Sequence, residues 1–284
     1  MRMSHGLWGD AWRRLLRNRP ALLGLGLIAV FLVSAIAAQW LTPYDPYRGV
    51  LAQRLQPPTL AHLMGTDLQG RDELTRVLYG ARISLQVGVS AVVMAFVLGG
   101  VAGALAGGFG GWIDAVVMRV TDVMLAVPGI LLAIAIVAWL GQGLPQLMIA
   151  IAASYTPTFA RLLRGSLLVL RESDYVTAAR SEGATSWRIL LRHMLPNALT
   201  PLIVQATLVL ATAIIDIAGL GFLGLGPQDP ATPEWGTMLT DATERIYSTP
   251  WLVLFPGVAI ATAAIGFNLL GDGLRESLDP RLKR

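Results

Sequence analysis

The chain is predicted to be an all-α integral membrane protein with six transmembrane helices. Three observations predict this. Of its 284 residues, 54% are hydrophobic and 14% charged. Its mean hydropathy is +0.59. Its apolar residues fall into runs of about the ~20 residues that a bilayer crossing requires, divided by polar segments. Such a chain is too apolar for an ordinary soluble domain. Its net charge of +4 rests almost wholly on arginine, Lys283 being the single lysine. A mild basic excess in a membrane chain marks loops facing anionic lipid on the cytoplasmic side, so membrane lipid is an expected partner and nucleic acid is not. The absence of cysteine excludes disulfides, thiolate metal sites and thiol nucleophiles. His5, His62 and His193 are too scattered to form a metal site.

Taken in order, residues 1–20 form a cytoplasmic tail with Arg2, Arg13, Arg14, Arg17 and Arg19. Trp8, Trp12, Leu15 and Leu16 give it the pattern of a helix lying on the membrane surface. Residues 21–41 are the first span. A basic start, an apolar run and Ala35-Ile36-Ala37 resemble a signal peptide, but the run is longer than a signal core and is read as a retained helix. Residues 42–83, with Pro43, Pro46, Pro57 and Pro58, follow as an external segment. Arg48, Arg54, Arg71, Arg76 and Arg82 run against the tendency of basic loops to face inward, and Asp45, Asp67, Asp72 and Glu73 offset only part of that.

The second span covers 84–107. Gly99, Gly103 and Gly107 repeat every four residues, which lets a neighbouring helix approach closely. A phosphate-cradling loop would need a strand before these glycines and Lys with Ser or Thr after them, and they lie in an apolar helix. The third span, 112–139, starts with Asp114, Arg119 and Asp122, and the i, i+3 spacing of the last two suits an ion pair near the inner face. Pro128 kinks it. After a turn at 141–145 comes the fourth span, 147–170, interrupted by Pro157, with Arg161 and Arg164 at its inner end.

Residues 171–201 are the longest polar interruption in the second half of the chain. Ser173 caps a short helix through Tyr175, Ala178 and Ala179, with Gly183 just past its end. Ser186 caps a second through Trp187, Ile189 and Leu190, which Pro196 stops. The fifth span, 198–223, contains Asp216. An external loop, 224–250, carries Pro227, Pro230, Pro233 and Trp235, with Trp235 and Trp251 as interface anchors. The sixth span covers 251–270, Asp272 and Arg275 have i, i+3 pairing distance, and Arg275, Arg281, Lys283 and Arg284 place the tail inside, so both termini are cytoplasmic.

Asp216 is the acid to explain. A carboxylate among Ile214, Ile215 and Ile217 is costly unless it meets a partner or a water-filled path. Two readings stand: it faces a translocation path and meets an amine or cation, or it bonds to a neighbouring helix or a partner subunit. No catalytic pattern accompanies it. Gly-x4-Gly-Lys-Ser/Thr, Gly-x-Ser-x-Gly and His-Glu-x-x-His are all absent, so any nucleotide hydrolysis is expected elsewhere.

The segment from 171 resembles the cytoplasmic loop signature of binding-protein-dependent ABC importer permeases: Glu-Ala-Ala, three residues, Gly, nine residues, Ile, one residue, Leu-Pro. Ala178, Ala179, Gly183, Leu195 and Pro196 match at the right spacing. Thr177 stands in place of Glu, and His193 in place of Ile. His62-Leu63-Met64-Gly65-Thr66-Asp67, Gly70-Arg71-Asp72, Phe222-Leu223-Gly224-Leu225-Gly226, Pro233-Glu234-Trp235-Gly236, 268–275 and Leu278-Asp279-Pro280-Arg281 are similar to further signatures of the dipeptide, oligopeptide and nickel branch.

The resemblance implies a type I importer architecture, with a permease core over 84–272, a coupling loop over 171–197 and a tail over 273–284. It implies a second homologous permease, two cytoplasmic ATPase subunits that bind the ATP, and an external substrate-binding protein, with no cofactor, catalytic residue or metal ligand in this chain. Ala178, Ala179, Glu182, Gly183, Ala184, Ser186, Trp187, Arg188, Leu195 and Pro196 would form the coupling surface, and the external segments would meet the binding protein. The expected substrate is a di- or oligopeptide, with nickel or a nickel chelate as the alternative. Outside the family, a self-sufficient secondary transporter would need paired ionisable groups at mid-membrane, and an assembly scaffold would need no coupling loop.

Overall fold

The computed structural model describes residues 7–278. Residues 1–6 and 279–284, with Arg2, His5 and the Asp279-Pro280-Arg281 signature, lie outside it. Among the described residues the chain is helical, with one isolated bridge between Thr66 and Asp72 in place of a sheet. The helices are α1 (Leu7–Leu15), α2 (Arg19–Leu41), α3 (Glu73–Phe109), α4 (Gly111–Leu125), α5 (Gly129–Leu140), α6 (Leu144–Arg171), α7 (Asp174–Ser181), α8 (Ser186–Arg188), α9 (Leu195–Leu220), α10 (Trp235–Ala242) and α11 (Trp251–Leu278). By length and composition α2, α3, the run Ser186–Leu225 and α11 are each able to cross a membrane, and the α4–α5 pair makes a fifth crossing if counted as one broken span. With 28 residues, α6 has the length, but Arg161, Arg164 and Arg171 make it more polar.

Several boundaries differ from expectation. The helix predicted from 84 begins at Glu73, because Asp72 caps it: the Thr75 backbone N–H donates to Asp72 Oδ2 at 2.8 Å. The polar segment therefore ends at 72 rather than 83. Pro128 does more than kink the third span, since α4 and α5 meet at 92°. Pro157, by contrast, does not interrupt α6, which continues through it. The last helix runs past 270 to Leu278. Among the described residues Asp272 and Arg275 form no ion pair. Asp122 pairs with Arg161 on α6 at 2.5 Å, not with Arg119 on its own helix. The facing helix brings an opposite charge closer than the helix's own next turn does.

The glycine repeat forms the seam between α3 and α6. A Cβ on Gly99 would sit 2.4 Å from the Thr156 carbonyl oxygen, and one on Gly103 2.5 Å from that of Ala160. The backbones thus touch, and larger residues fill the space beside them, with Phe159, Leu163 and Leu167 fully buried. A second core, around Trp235, Ile260 and Phe267, joins α2, α3, α10 and α11.

The seam makes a contrast between neighbours. Gly99→Ala forces backbone apart and should destabilise the protein by about 1–3 kcal/mol. At Gly100 an added Cβ meets nothing within 4 Å, so Gly100→Ala should be neutral or slightly stabilising. Thermal denaturation of the two variants in detergent checks this.

Candidate functional site

The segment 171–201 is built as two helices around one glycine. The first, α7, buries Val176 and Ala179, three residues apart on one face, and exposes Tyr175, Ala178 and Arg180. Ser173 occupies its N-cap position, but its hydroxyl donates to the Leu170 carbonyl rather than accepting from the helix. Its C-terminus is closed by two backbone bonds: Gly183 N–H donates to Arg180 O at 3.0 Å and Ala184 N–H to Ala179 O at 3.1 Å. That pair of bonds requires a left-handed residue, and Gly183 has φ +82°. The turn therefore fixes the angle at which the chain leaves α7.

The second helix departs from expectation in two ways. Thr185, not Ser186, is the cap, its hydroxyl accepting from the Arg188 backbone N–H. Pro196 does not stop it. From Ile189 to Met194 the backbone widens into a π-helical turn, in which the Leu195 N–H donates to Leu190 O, five residues back. The chain then continues through Pro196 and Pro201 as α9. The missing proline N–H groups are accommodated where the helix is already widened or in its first turns.

The segment is anchored rather than loose. Val176, Ala179, Ile189, Leu190 and Met194 belong to the same buried cluster as Phe159 and Leu163. Each fully buried aliphatic among them contributes about 1.5–3 kcal/mol. Phe109, at the end of α3, meets the Trp187 ring edge-on at 4.8 Å. Ala184 and Leu195 pack against this cluster half-buried. Ala178, Glu182, Gly183, Ser186, Trp187, Arg188 and Pro196 are exposed. The matched residues thus separate into an inner set that holds the segment and an outer set that presents a surface. Thr177 is exposed with that outer set, whereas His193 is half-buried.

Asp216 lies on α9 far from this segment and is not brought together with it. Tyr155 on α6 donates its hydroxyl to Asp216 Oδ2 at 2.7 Å. The contact to a neighbouring helix is therefore present, and the carboxylate remains half-exposed.

Comparison with known proteins decides the family. Residues 99–284 match the family described as "Binding-protein-dependent transport system inner membrane component". The chain belongs to that family of ABC importer permeases. Residues 6–58 of this permease also match the N-terminal TM domain of oligopeptide transport permease C. It is 49% identical to the dipeptide transport system permease protein DppC of Alkalihalophilus pseudofirmus, over 97% of this chain and 90% of that one. It is 46% identical to the glutathione transport system permease protein GsiD of Escherichia coli O157:H7, over 97% of this chain and 91% of that one. Among solved structures, an inward-facing MetNI methionine ABC transporter chain shares the fold, with a TM-score of 0.60 at 20% identity over 72% of this permease and 96% of that chain.

The permease has a second constellation, at the α10 end, that sequence reasoning quoted as signatures without seeing its purpose. Arg71 and Arg76 are 4% and 2% exposed and converge on Asp67 Oδ2, with Nε atoms at 2.6 and 3.4 Å. Their remaining donors cross to the later loop: Arg71 Nη1 to Pro230 O at 3.2 Å and Arg76 Nη1 to Ala231 O at 3.0 Å. From that loop Glu234 caps α10, accepting from the Gly236 and Thr237 backbone N–H groups at 2.9 Å each. Burial pushes its carboxyl above the usual carboxylate range, although those N–H groups and Ser84 draw it back down. Trp235 is fully buried, not an interface anchor, and its Nε1 donates to Val77 O at 3.0 Å. The two signature segments, remote in sequence, are thus one clamp. The available signal was the density of both signs of charge over 67–76, which a solvated segment does not need. Two of the five arginines that opposed the positive-inside pattern belong to this clamp.

Removing a partner from such a buried network is costly. Arg76→Ala should destabilise the permease by about 3–5 kcal/mol. Arg48→Ala, from a pair 3.8 Å apart with Arg48 90% exposed, should change stability by less than about 1 kcal/mol. Detergent-solubilised thermal unfolding of both variants checks the contrast.

Proposed function

We propose that this permease forms, with a second homologous permease, the translocation path of an ATP-powered importer for di- or oligopeptides. It crosses the membrane six times with both termini cytoplasmic. Its 171–197 segment docks on one of two cytoplasmic ATPase subunits, and an external substrate-binding protein engages the segments around the Arg71–Glu234 clamp. Relatives that match nearly all of this chain are named as dipeptide and glutathione permeases, which favours a peptide over nickel.

One observation carries the coupling assignment. The exposed face of α7 and Trp187 is joined, through the Gly183 turn and an unbroken helix beginning at Ser186, to the intramembrane acid Asp216. Force applied to a stiff, capped element buried on its inner side is transmitted along that helix rather than lost in a loop. ATP-driven approach of two ATPase subunits would tilt it and alternate access to the path between the permeases. A secondary transporter has no use for such an element and would instead need paired ionisable groups at mid-membrane, whereas the hydrogen-bond partner of Asp216 is a neutral phenol.

Reconstitution of the permease with its partners tests this. Peptide uptake should require ATP and stop when the ATPase subunits are omitted, and uptake without them would refute the reading. Proline, with φ near about −65°, does not fit the +82° of Gly183. Gly183→Pro should therefore leave the complex in the membrane and hydrolysing ATP while uptake falls to background.

A further inference from the structure

A cavity of about 310 Å³ lies between α2 and α3, lined by Ala35, Ile36, Ala38, Gln39, Tyr79 and Arg82. On α2, residues 35, 38 and 39 stand at i, i+3 and i+4, and on α3 Tyr79 and Arg82 stand at i, i+3. Each helix thus presents one face to it. Leu32, Ile36 and Gln39, at i, i+4 and i+7, extend the α2 side into a stripe. All three are exposed, Ile36 by 71%. The stripe is apolar along its length and ends in an amide. Gln39 lies two residues before the end of the 23-residue α2. A helix of that length rises about 35 Å, slightly more than the ~30 Å of a hydrocarbon core. The cavity therefore sits where acyl chains give way to headgroups. Trp40, 73% exposed, marks the same level.

Arg82 is one of the three arginines against the positive-inside pattern that the clamp leaves unused. Among the described residues its guanidinium makes no hydrogen bond or ion pair, and neither do the Gln39 amide and the Tyr79 hydroxyl. Helical side chains lean toward the helix N-terminus. For α3 that is the end at Asp72, so Arg82 leans toward the headgroup level and away from the hydrocarbon. A guanidinium fork, an amide and a phenol around one small cavity suit an oxyanion that carries hydroxyl groups. The fork matches a phosphodiester. None of the six lining residues is acidic. An ammonium headgroup would find no counter-charge among them, whereas glycerol hydroxyls can bond to Gln39 and Tyr79.

We propose that this cavity binds one anionic phospholipid, phosphatidylglycerol, with its phosphodiester at Arg82, its glycerol headgroup at Gln39 and Tyr79, and an acyl chain along Leu32 and Ile36. The exposed apolar stripe that leads away from the polar end selects a lipid over a soluble phosphate. The lipid touches both helices and so fastens α2 to α3. The site depends on the membrane setting of the chain and on no property of the transported substrate. The topology proposed above matters only in making its leaflet the outer one.

The test is native mass spectrometry of the full-length permease in detergent, delipidated and then titrated with dioleoyl phosphatidylglycerol, dioleoyl phosphatidylethanolamine or glycerol phosphate. Wild type should bind one phosphatidylglycerol at least about tenfold more tightly than phosphatidylethanolamine, and glycerol phosphate at the same concentration should not displace it. Arg82→Gln removes no contact within the protein and should weaken phosphatidylglycerol binding roughly tenfold or more, the effect of losing one charged hydrogen bond. Arg82→Lys, which keeps the charge, should recover much of that loss. Arg48→Gln removes the same charge from an exposed site on the same segment and should change nothing. Equal binding of the two lipids, displacement by glycerol phosphate, an unchanged Arg82→Gln variant, or an equal loss in Arg82→Gln and Arg48→Gln overturns the site.

Discussion

In a bilayer every backbone N–H and C=O has to find a partner inside the protein, and the helix that begins at Ser186 meets that constraint across two prolines. The π-helical turn at Ile189–Met194 makes this possible. It carries the chain from an exposed segment into the core without a break in the helix. Had the helix ended at Pro196, the 171–197 segment would hang on a flexible joint and α9 would start independently. The continuity instead ties three features together: the Gly183 turn, the buried anchors Ile189 and Leu190, and Asp216. A local adjustment of backbone pitch thereby becomes a property of the whole bundle.

The same economy appears in how the other helices are held. Glycine lets α3 and α6 touch backbone to backbone, where dispersion contacts and shape rather than water exclusion supply the stability. At the α10 end, charge replaces shape. Asp67 organises two arginines that reach across to the carbonyls of a later loop, while Trp235 fills the space beneath. The two arginines of this network have partners on several sides, which ties the loops on either side of α3 together.

Much of this was legible in the sequence. Apolar runs placed the long helices, the four-residue glycine spacing announced a close helix contact, and Gly183 was identified as the residue past a helix end. Other features were hidden for identifiable physical reasons. Pro196 looked like a stop because a π-turn has no compositional mark. Asp122 seemed destined for Arg119 because spacing along one helix is visible, whereas the approach of Arg161 from another is not. The early start of α3 was concealed by its polar first turns, in which Arg76 is buried by reaching the distant Pro46 and Ala231 carbonyls rather than by being apolar. Trp235 is an isolated aromatic in a polar loop, and only the fold shows that α3 receives it. Asp216 could be recognised as costly from its neighbours, but its phenolic partner lies 61 residues away.

The central claim is that the outer face of α7 meets an ATPase subunit. The native chain contains no cysteine, so a single engineered thiol reports without background. Ala178→Cys in the assembled importer should crosslink to the ATPase subunit through a short bifunctional reagent, with an efficiency that changes between nucleotide-free and ATP-bound states. Ile36→Cys, exposed on α2, should not crosslink. A transport-competent complex in which Ala178→Cys never reaches the ATPase in either state would contradict the account.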